Sequence, residues 1–346
     1  MRRTRVARAA GSGGADTGPV VRIRDLTVDF DTAEGRIRAV DGVSLDILPR
    51  RTLGVVGESG CGKSVTAQAI MRIEDKRICT LGGRILLRRG RDTLDLLSLK
   101  GTGARMRELR GREIGLVFQE PMTSFSPVHT IGNQIVEAVR LHFDLTRAEA
   151  VERAIEQLRH VGMPHPEHIM NRYAWELSGG LRQRAMIAMA LICAPGLLIA
   201  DEPTTALDVT TQAQVLALLD ELQDRHGMAL MLITHDLGVV AAVADDVAIM
   251  YLGTVVECGP AASIFREPGH PYTQLLLDSL PSLSRRRRGA LKAISGTVPR
   301  ARNRPGGCPF HTRCPSAIAG VCDRVMPAPT QVAERHVVHC HLHDRP

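Results

Sequence analysis

The sequence predicts an α/β fold built on a mainly parallel sheet. Short apolar runs of strand composition alternate with helical patterns. A glycine-rich loop stands between one such strand and one such helix, and a second apolar run ends in two adjacent carboxylates. The length, 346 residues, suggests about two domains. With 44% hydrophobic and 23% charged residues the composition is that of a globular chain, which excludes a wholly disordered or fibrous protein. Basic residues exceed acidic ones by seven (44 against 37), an excess that allows an anionic partner without identifying one. An aromatic share of 3% argues against a stacking platform for nucleic acid. The longest apolar stretch, Ala185 to Ala200, is 16 residues interrupted by Pro195-Gly196, below the roughly 18–20 that cross a bilayer. Residues 1–18 carry charge without an apolar core, so they read as a basic tail rather than a signal peptide, and the chain is expected in the cytoplasm.

Taken in order, VVRIRDLTVDF alternates as a strand, IRAVDGVSLDIL reads as a second, and RTLGVVG is a short buried strand entering a glycine turn. A mixed region lies between Leu94 and His142. Thr146 and Glu149 then form a capping box, followed by the helical stripe Val151, Ala154, Ile155 and Leu158. A second helix runs from about Thr211 to His226 with Val215, Leu218, Leu219 and Leu222 on one face and Gly227 closing it. MALMLITH and DVAIMYLGTVVECG read as strands, the latter a hairpin over Leu252-Gly253. Beyond Pro268 the composition shifts to Pro, Arg, His and Cys, which places a boundary near 266–290. Arg285 to Arg288 form a charge run there, read as a solvated linker.

Gly57-Glu58-Ser59-Gly60-Cys61-Gly62-Lys63-Ser64 fits GxxxxGK[ST] after a strand and before a helix, the context such a motif needs. The backbone N–H groups from Gly57, Ser59, Gly60, Cys61 and Gly62 can curl around phosphate oxygens, with the helix dipole behind them. Lys63 is then the neutraliser of β/γ-phosphate charge and Ser64 a Mg²⁺ ligand. Leu197-Leu198-Ile199-Ala200-Asp201-Glu202 supplies the other half. Asp201 is expected to anchor Mg²⁺, and Glu202 to polarise the water that attacks the γ-phosphate. These two motifs define a nucleoside triphosphatase.

Leu177-Ser178-Gly179-Gly180-Leu181-Arg182-Gln183-Arg184 resembles the LSGGQ signature of ABC ATPases and lies 23 residues before Asp201, with Leu181 where that family has Gln. Gln119 resembles the Q-loop glutamine, which senses Mg²⁺ or water and couples to membrane subunits. Ala206-Leu207-Asp208 resembles the D-loop, and His235, 33 residues after Glu202, the switch histidine that contacts the γ-phosphate. Phe30 is the candidate for stacking on adenine. GESGCGKS, FQEPMTSFSP, LSGGLRQRAMIAMAL and GHPYTQLLL together look like the ATP-binding subunits of dipeptide and oligopeptide ABC importers, a group with relatives handling nickel and other small solutes.

The resemblance covers residues 20 to about 265. It implies an ABC-type ATPase domain (19–265) with a helical subdomain (about 101–180) and an antiparallel β subdomain. It also implies that Ser178, Gly179 and Gly180 bind the γ-phosphate of ATP held by an opposing subunit, with Asp208 crossing that interface. The implied partners are a homologous second ATPase, making a heterodimer, two transmembrane permease subunits and a solute-binding protein, at the cytoplasmic side of the membrane and without nucleic acid. A soluble ABC ATPase acting on nucleic acid or ribosomes is the competing reading, but the chain has neither fused ATPase domains nor a long coiled-coil insertion.

Cys308, Cys314, Cys322 and Cys340 fall in the last 39 residues with spacing C-x5-C-x7-C-x17-C, within an expected small C-terminal domain, 266–346. Close C-x2–4-C zinc knuckles are absent, and prolines follow Cys308 and Cys314. Four thiolates on irregular loops suit a cubane cluster, and the resemblance implies 4Fe-4S. Zinc and free or disulfide-bonded cysteines remain the alternatives, with His311, His339 and His341 as substitute ligands in a mixed site.

Overall fold

In the computed structural model, residues 18–205, 207–279 and 294–344 are described. Nearly all of the basic tail, Ala206 and the Arg285–Arg288 run lie outside them. Strands β1 (Val21–Thr32) and β2 (Gly35–Ile47) pair antiparallel, with Val21, Ile23, Leu26, Val28, Val40, Val43, Leu45 and Ile47 buried and the charged residues turned outward apart from Asp29, which is buried and paired with Arg36 and Arg38. That two-residue period is what a sheet with one wet face requires. By contrast β3 (Thr52–Val56) is buried at every position, the pattern of a strand covered on both faces. It feeds the glycine loop and α1 (Lys63–Met71). Strands β4 (Cys79–Arg89) and β5 (Asp92–Asp95) complete a sheet of order β2-β1-β4-β5. The alternation did not announce β4, because Gly82-Gly83 interrupts it. There β1 bulges between Arg24 and Thr27, Asp25 adopts φ +49°, and a Cβ on Gly83 (φ +88°) would come 2.6 Å from the Arg24 carbonyl.

After α2 (Ala104–Leu109) comes β6 (Ile114–Val117), then the helices α3 (Pro121–Ser124), α4 (Ile131–Arg140), α5 (Arg147–His160), α6 (Pro166–Ile169) and α7 (Gly179–Leu191). Strand β6 pairs with β7 (Leu197–Asp201) in the main sheet. Helix α2 thus precedes β6, and the unbroken run of helices begins with α3. Helix α5 carries the capping box: Glu149 N–H donates to Thr146 Oγ1 at 3.3 Å and Thr146 N–H to Glu149 Oε2 at 2.8 Å. The remaining core elements are α8 (Val209–His226), β8 (Ala229–Thr234), α9 (Leu237–Val243), β9 (Asp246–Tyr251) and β10 (Thr254–Pro260). Gly227 closes α8 in the left-handed region, φ +63°. The β9–β10 hairpin turns on Leu252 (φ +43°) and Gly253 (φ +81°), the mirror-image turn that matches strand twist.

Two helices, α10 (Ala261–Arg266) and α11 (Pro271–Asp278), lead to β11 (Pro329–Ala333) and β12 (His336–His339). The main sheet runs β11-β12-β10-β9-β3-β8-β7-β6, parallel from β9 to β6 and antiparallel beyond β9. Val337 and Val338 pair with Cys258 and Glu257, so the C-terminal segment continues the ATPase sheet instead of folding apart. Phe310, fully buried, packs on Tyr251 and Tyr272, each ring centroid 5.1 Å away, and the segment shares a core with Val56, Leu237 and Ile249.

His270 seals this seam. Its Nδ1 caps α11 by accepting from Tyr272 N–H at 3.0 Å, while its Nε2 is buried without a partner. Burial pushes its pKa down from 6.5 to about 3. As pH falls below 6.5, the unfolded chain takes up a proton that the folded chain refuses, so this residue contributes a destabilisation growing by about 1.4 kcal/mol per pH unit. Asn is a good helix cap, so H270N is expected to keep the α11 bond yet lose this component. Urea unfolding from about pH 7 to about pH 5 should then show a shallower loss of stability in the variant.

Candidate functional site

The glycine loop leaves β3 with its glycines doing three different jobs. Gly57 lies against the Met250 carbonyl, where a Cβ would collide; Gly60 sits at φ +77°; and Gly62, at φ +98°, caps α1, with the space for a Cβ only 2.6 Å from the Ala39 carbonyl. Lys63 is 5% exposed, and its Nζ donates to the loop's own carbonyls, Gly57 O at 2.8 Å and Glu58 O at 3.1 Å. The ammonium is thus held inside the loop. Cys61 is buried under it, and burial pushes that thiol's pKa up.

Ser64 Oγ donates to Asp201 Oδ1 at 2.9 Å, bringing two of the three expected Mg²⁺ ligands to one point, while Gln119, the third, bonds Glu202. Asp201 is buried, and burial raises its carboxyl above the usual range while the Ser64 hydroxyl pulls it back. A hard cation is suited to such a pair of oxygens and would restore the ionised form.

Glu202 gathers the rest. Its Oε2 accepts from Gln119 Nε2 at 3.1 Å and from Thr205 Oγ1 at 2.9 Å, and its Oε1 lies 3.3 Å from His235 Nδ1. The residue adopts φ +45°, sparsely populated for a side chain with a Cβ, and its N–H is fixed by the Ile233 carbonyl at 2.9 Å. Backbone strain of this kind persists where surrounding structure over-determines it. Three residues far apart in sequence, Gln119, Glu202 and His235, thus meet as the motifs anticipate. Thr205 joins them, and no spacing pointed to it.

A second group forms elsewhere on the chain. Ser178 caps α7, accepting from Leu181 N–H at 3.4 Å. Gly179 faces Leu207, and Gly180 faces Thr211, whose methyl would lie 2.8 Å from a Cβ there. Asp208 caps α8, accepting from the N–H groups of Thr210 and Thr211 at 3.0 Å each and from Thr211 Oγ1 at 2.7 Å, which lowers its pKa. Among the described residues, no hydrogen bond joins this group to Lys63, Asp201 or Glu202. Phe30 is half-buried on β1, packed on the cluster containing Val40, Cys61 and Ile70.

The four C-terminal cysteines are free thiols. Cys308 N–H donates to Cys322 O at 2.8 Å, and Cys322 Sγ accepts from Ile318 N–H at 3.3 Å. Burial raises the Cys308 thiol to about 11, with Cys322, Cys340 and Cys314 adding to the rise; Cys314 and Cys340 are raised by burial too. Among the described residues, no group of three or more His, Cys, Asp or Glu side chains is placed to hold a metal ion. The expected cluster, or zinc, therefore has no formed ligand cage here. His341 bonds Asp344 and the Val325 carbonyl instead, and His311 bonds the Cys308 carbonyl.

A phosphate loop, an acid pair at the end of the next strand but one and a serine–glycine helix cap define an ABC-type ATP-binding cassette. The ABC transporter family model matches residues 40–205, and the model described as oligopeptide/dipeptide transporter, C-terminal region, matches residues 256–322. The chain is 50% identical over 319 residues to the probable peptide ABC transporter ATP-binding protein y4tR of Sinorhizobium fredii, covering 92% of this chain and 93% of that protein. It is 46% identical over 328 residues to the dipeptide transport ATP-binding protein DppD of Bacillus subtilis, covering 94% and 95%. Among solved structures, the post-hydrolysis dimer of the MJ0796 cassette bound to ADP and Pi superposes with a TM-score of 0.61, at 26% identity over 70% of this chain and 98% of that one. CbiO1 of Clostridium perfringens gives 0.58, at 27% identity over 72% and 92%. The chain belongs to the ABC transporter ATP-binding family, and it is an ATPase subunit of that family.

Replacing Glu202 by Gln preserves its size and removes the charge that can accept a proton. E202Q is expected to slow ATP hydrolysis by at least about a hundredfold while leaving ATP binding in place. Turnover measured beside nucleotide binding checks this.

Proposed function

We propose that this chain is the ATP-hydrolysing subunit of an ABC importer of dipeptides or oligopeptides. The observation that carries the catalytic part is the convergence of Gln119, Thr205 and His235 on Glu202. The peptide class is supported by the C-terminal family match and by the names of the relatives. Nickel or another small solute is the second reading.

In this mechanism the N–H groups of the glycine loop and Lys63 hold the triphosphate. Ser64 and Asp201 would hold Mg²⁺, which would supply neutralisation of phosphate charge. Glu202 orients and deprotonates the attacking water, kept in place by Thr205 and Gln119. His235 faces the same carboxylate and is in reach of the γ-phosphate end. Phe30 stacks on the adenine. Ser178, Gly179, Gly180 and Asp208 complete the site of an opposing subunit, which the separation of the two groups within one chain supports. A homologous but different ATPase is the proposed partner.

The segment around Gln119, beginning at Phe118, is the proposed contact to the two permease subunits. Phe118, Met122 and Val128 are exposed there, Val128 by 74%. Among the described residues no helix is long and apolar enough to cross a membrane, so docking from the cytoplasmic face is proposed, with a solute-binding protein outside. The four C-terminal cysteines, near enough that Cys322, Cys340 and Cys314 raise the Cys308 thiol, are the proposed ligands of an iron–sulfur cluster, which would require them to close into a cage that the described residues do not form; no step of hydrolysis runs through it.

Two measurements test these assignments. Co-expressed with its permeases and partner ATPase, the chain is expected to hydrolyse ATP, and S178R to reduce turnover at least about tenfold through lost contact with the opposing site. Unchanged turnover would refute the shared site. Anaerobically purified protein should carry about four iron and four sulfide per chain, and stoichiometric zinc without iron would overturn the cluster.

A further inference from the structure

The C-terminal segment reaches the phosphate loop directly. Glu58, second in that loop, is held at three points. Its N–H donates to Tyr272 Oη at 3.1 Å, and its carbonyl accepts from Lys63 Nζ at 3.1 Å. Its carboxylate takes a two-pronged pair from Arg313, Nη1 to Oε2 at 2.7 Å and Nη2 to Oε1 at 3.1 Å. The guanidinium is itself fixed: Nε donates to the Ser295 carbonyl at 3.1 Å, Nη1 also reaches Tyr251 Oη at 3.3 Å, and the side chain is 4% exposed. Forked Arg–carboxylate geometry is both strong and directional. The same stretch also grips the rim near β2, where Arg304 pairs with Asp41 at 3.0 Å and Asp41 N–H bonds the Gly253 carbonyl at 2.8 Å.

We propose that Arg313 is a positioning residue of the nucleotide site, one that neutralises and orients Glu58 so that the loop can accept a triphosphate. The proposal rests on the reading of Gly57–Ser64 as the ATP phosphate loop. Charge is the first effect. A bare carboxylate at this position would oppose the polyanion, in a loop whose own cation is Lys63. Orientation is the second. With its side chain tied, Glu58 cannot swing toward the phosphates or turn the N–H groups that follow it. The side-chain bonds of Arg313 go to Ser295, Glu58 and Tyr251 and not to Lys63, Asp201 or Glu202, so its removal should weaken ATP binding and leave the chemical step alone.

The test compares ATP KM and kcat of the assembled transporter carrying R313Q, R313K, E58Q or R313Q with E58Q. R313Q is expected to raise KM about tenfold with kcat nearly kept. Adding E58Q removes the offending charge and should return KM to within about threefold of the parent. R313K restores the charge without the fork and should fall between. An unchanged KM in R313Q, a loss confined to kcat, or a double variant no better than R313Q would overturn the proposal. Should R313Q not accumulate, R313K decides: KM raised with kcat kept supports it, and KM unchanged overturns it. K63A tests the loop reading separately, because retained ATP binding there would remove the loop assignment whatever Arg313 does.

Discussion

The arrangement depends on three parallel strands ending level with one another. Val56 of β3 pairs with Thr234 of β8, and Ile233 pairs with Asp201 of β7. The residues that follow, Gly57, His235 and Glu202, therefore leave the sheet side by side. Ligand sites in open α/β sheets form at these carboxyl ends, because the loops splay outward there while the strands stay locked by backbone hydrogen bonds. Burial of every residue in β3, β7 and β8 leaves little freedom for one strand to slide against another.

On that platform the polar contacts divide between two groups. Lys63 is folded into the loop that it serves, Asp201 is pressed into a buried position beside Ser64, and Glu202 holds an uncommon backbone angle with polar neighbours on both carboxylate oxygens. Ser178 and Asp208 form the other group, each spending its hydrogen-bonding capacity on a helix N-terminus. A helix start so capped leaves further N–H groups free to meet an anion. The proposed shared site draws on both groups, a triphosphate cradle and a cap offered to another chain's cradle.

Much of this was legible in the residues. The strand before Gly57, the acids after Ala200 and the capping box at Thr146 announced their local structure, because each depends on neighbours close in sequence. Strand β4 did not, since Gly82-Gly83 breaks its alternation at a bulge. Thr205 carries no pattern that marks it, although it bonds the same carboxylate as Gln119. The pairing of Arg313 with Glu58 spans 255 residues and lies beside the packing of Phe310 against the Tyr251–Tyr272 pair, which no local periodicity records. The composition change near Pro268 suggested a separate unit for the same reason: a shift in residue types says nothing about which sheet the later strands will join.

The way β12 lies along β10 has a practical consequence for anyone trimming this protein. A version cut after α11, at the point where the nucleotide-binding motifs are already complete, would strip β10 of its neighbour and bare the row of amides and carbonyls that β12 occupies. Such an uncovered rim invites strand addition from other molecules. In the intact chain that place on the outside falls to β11, which is five residues long, begins at Pro329 and is largely solvated. The tail is thus also the fold's safeguard against polymerising through its own sheet.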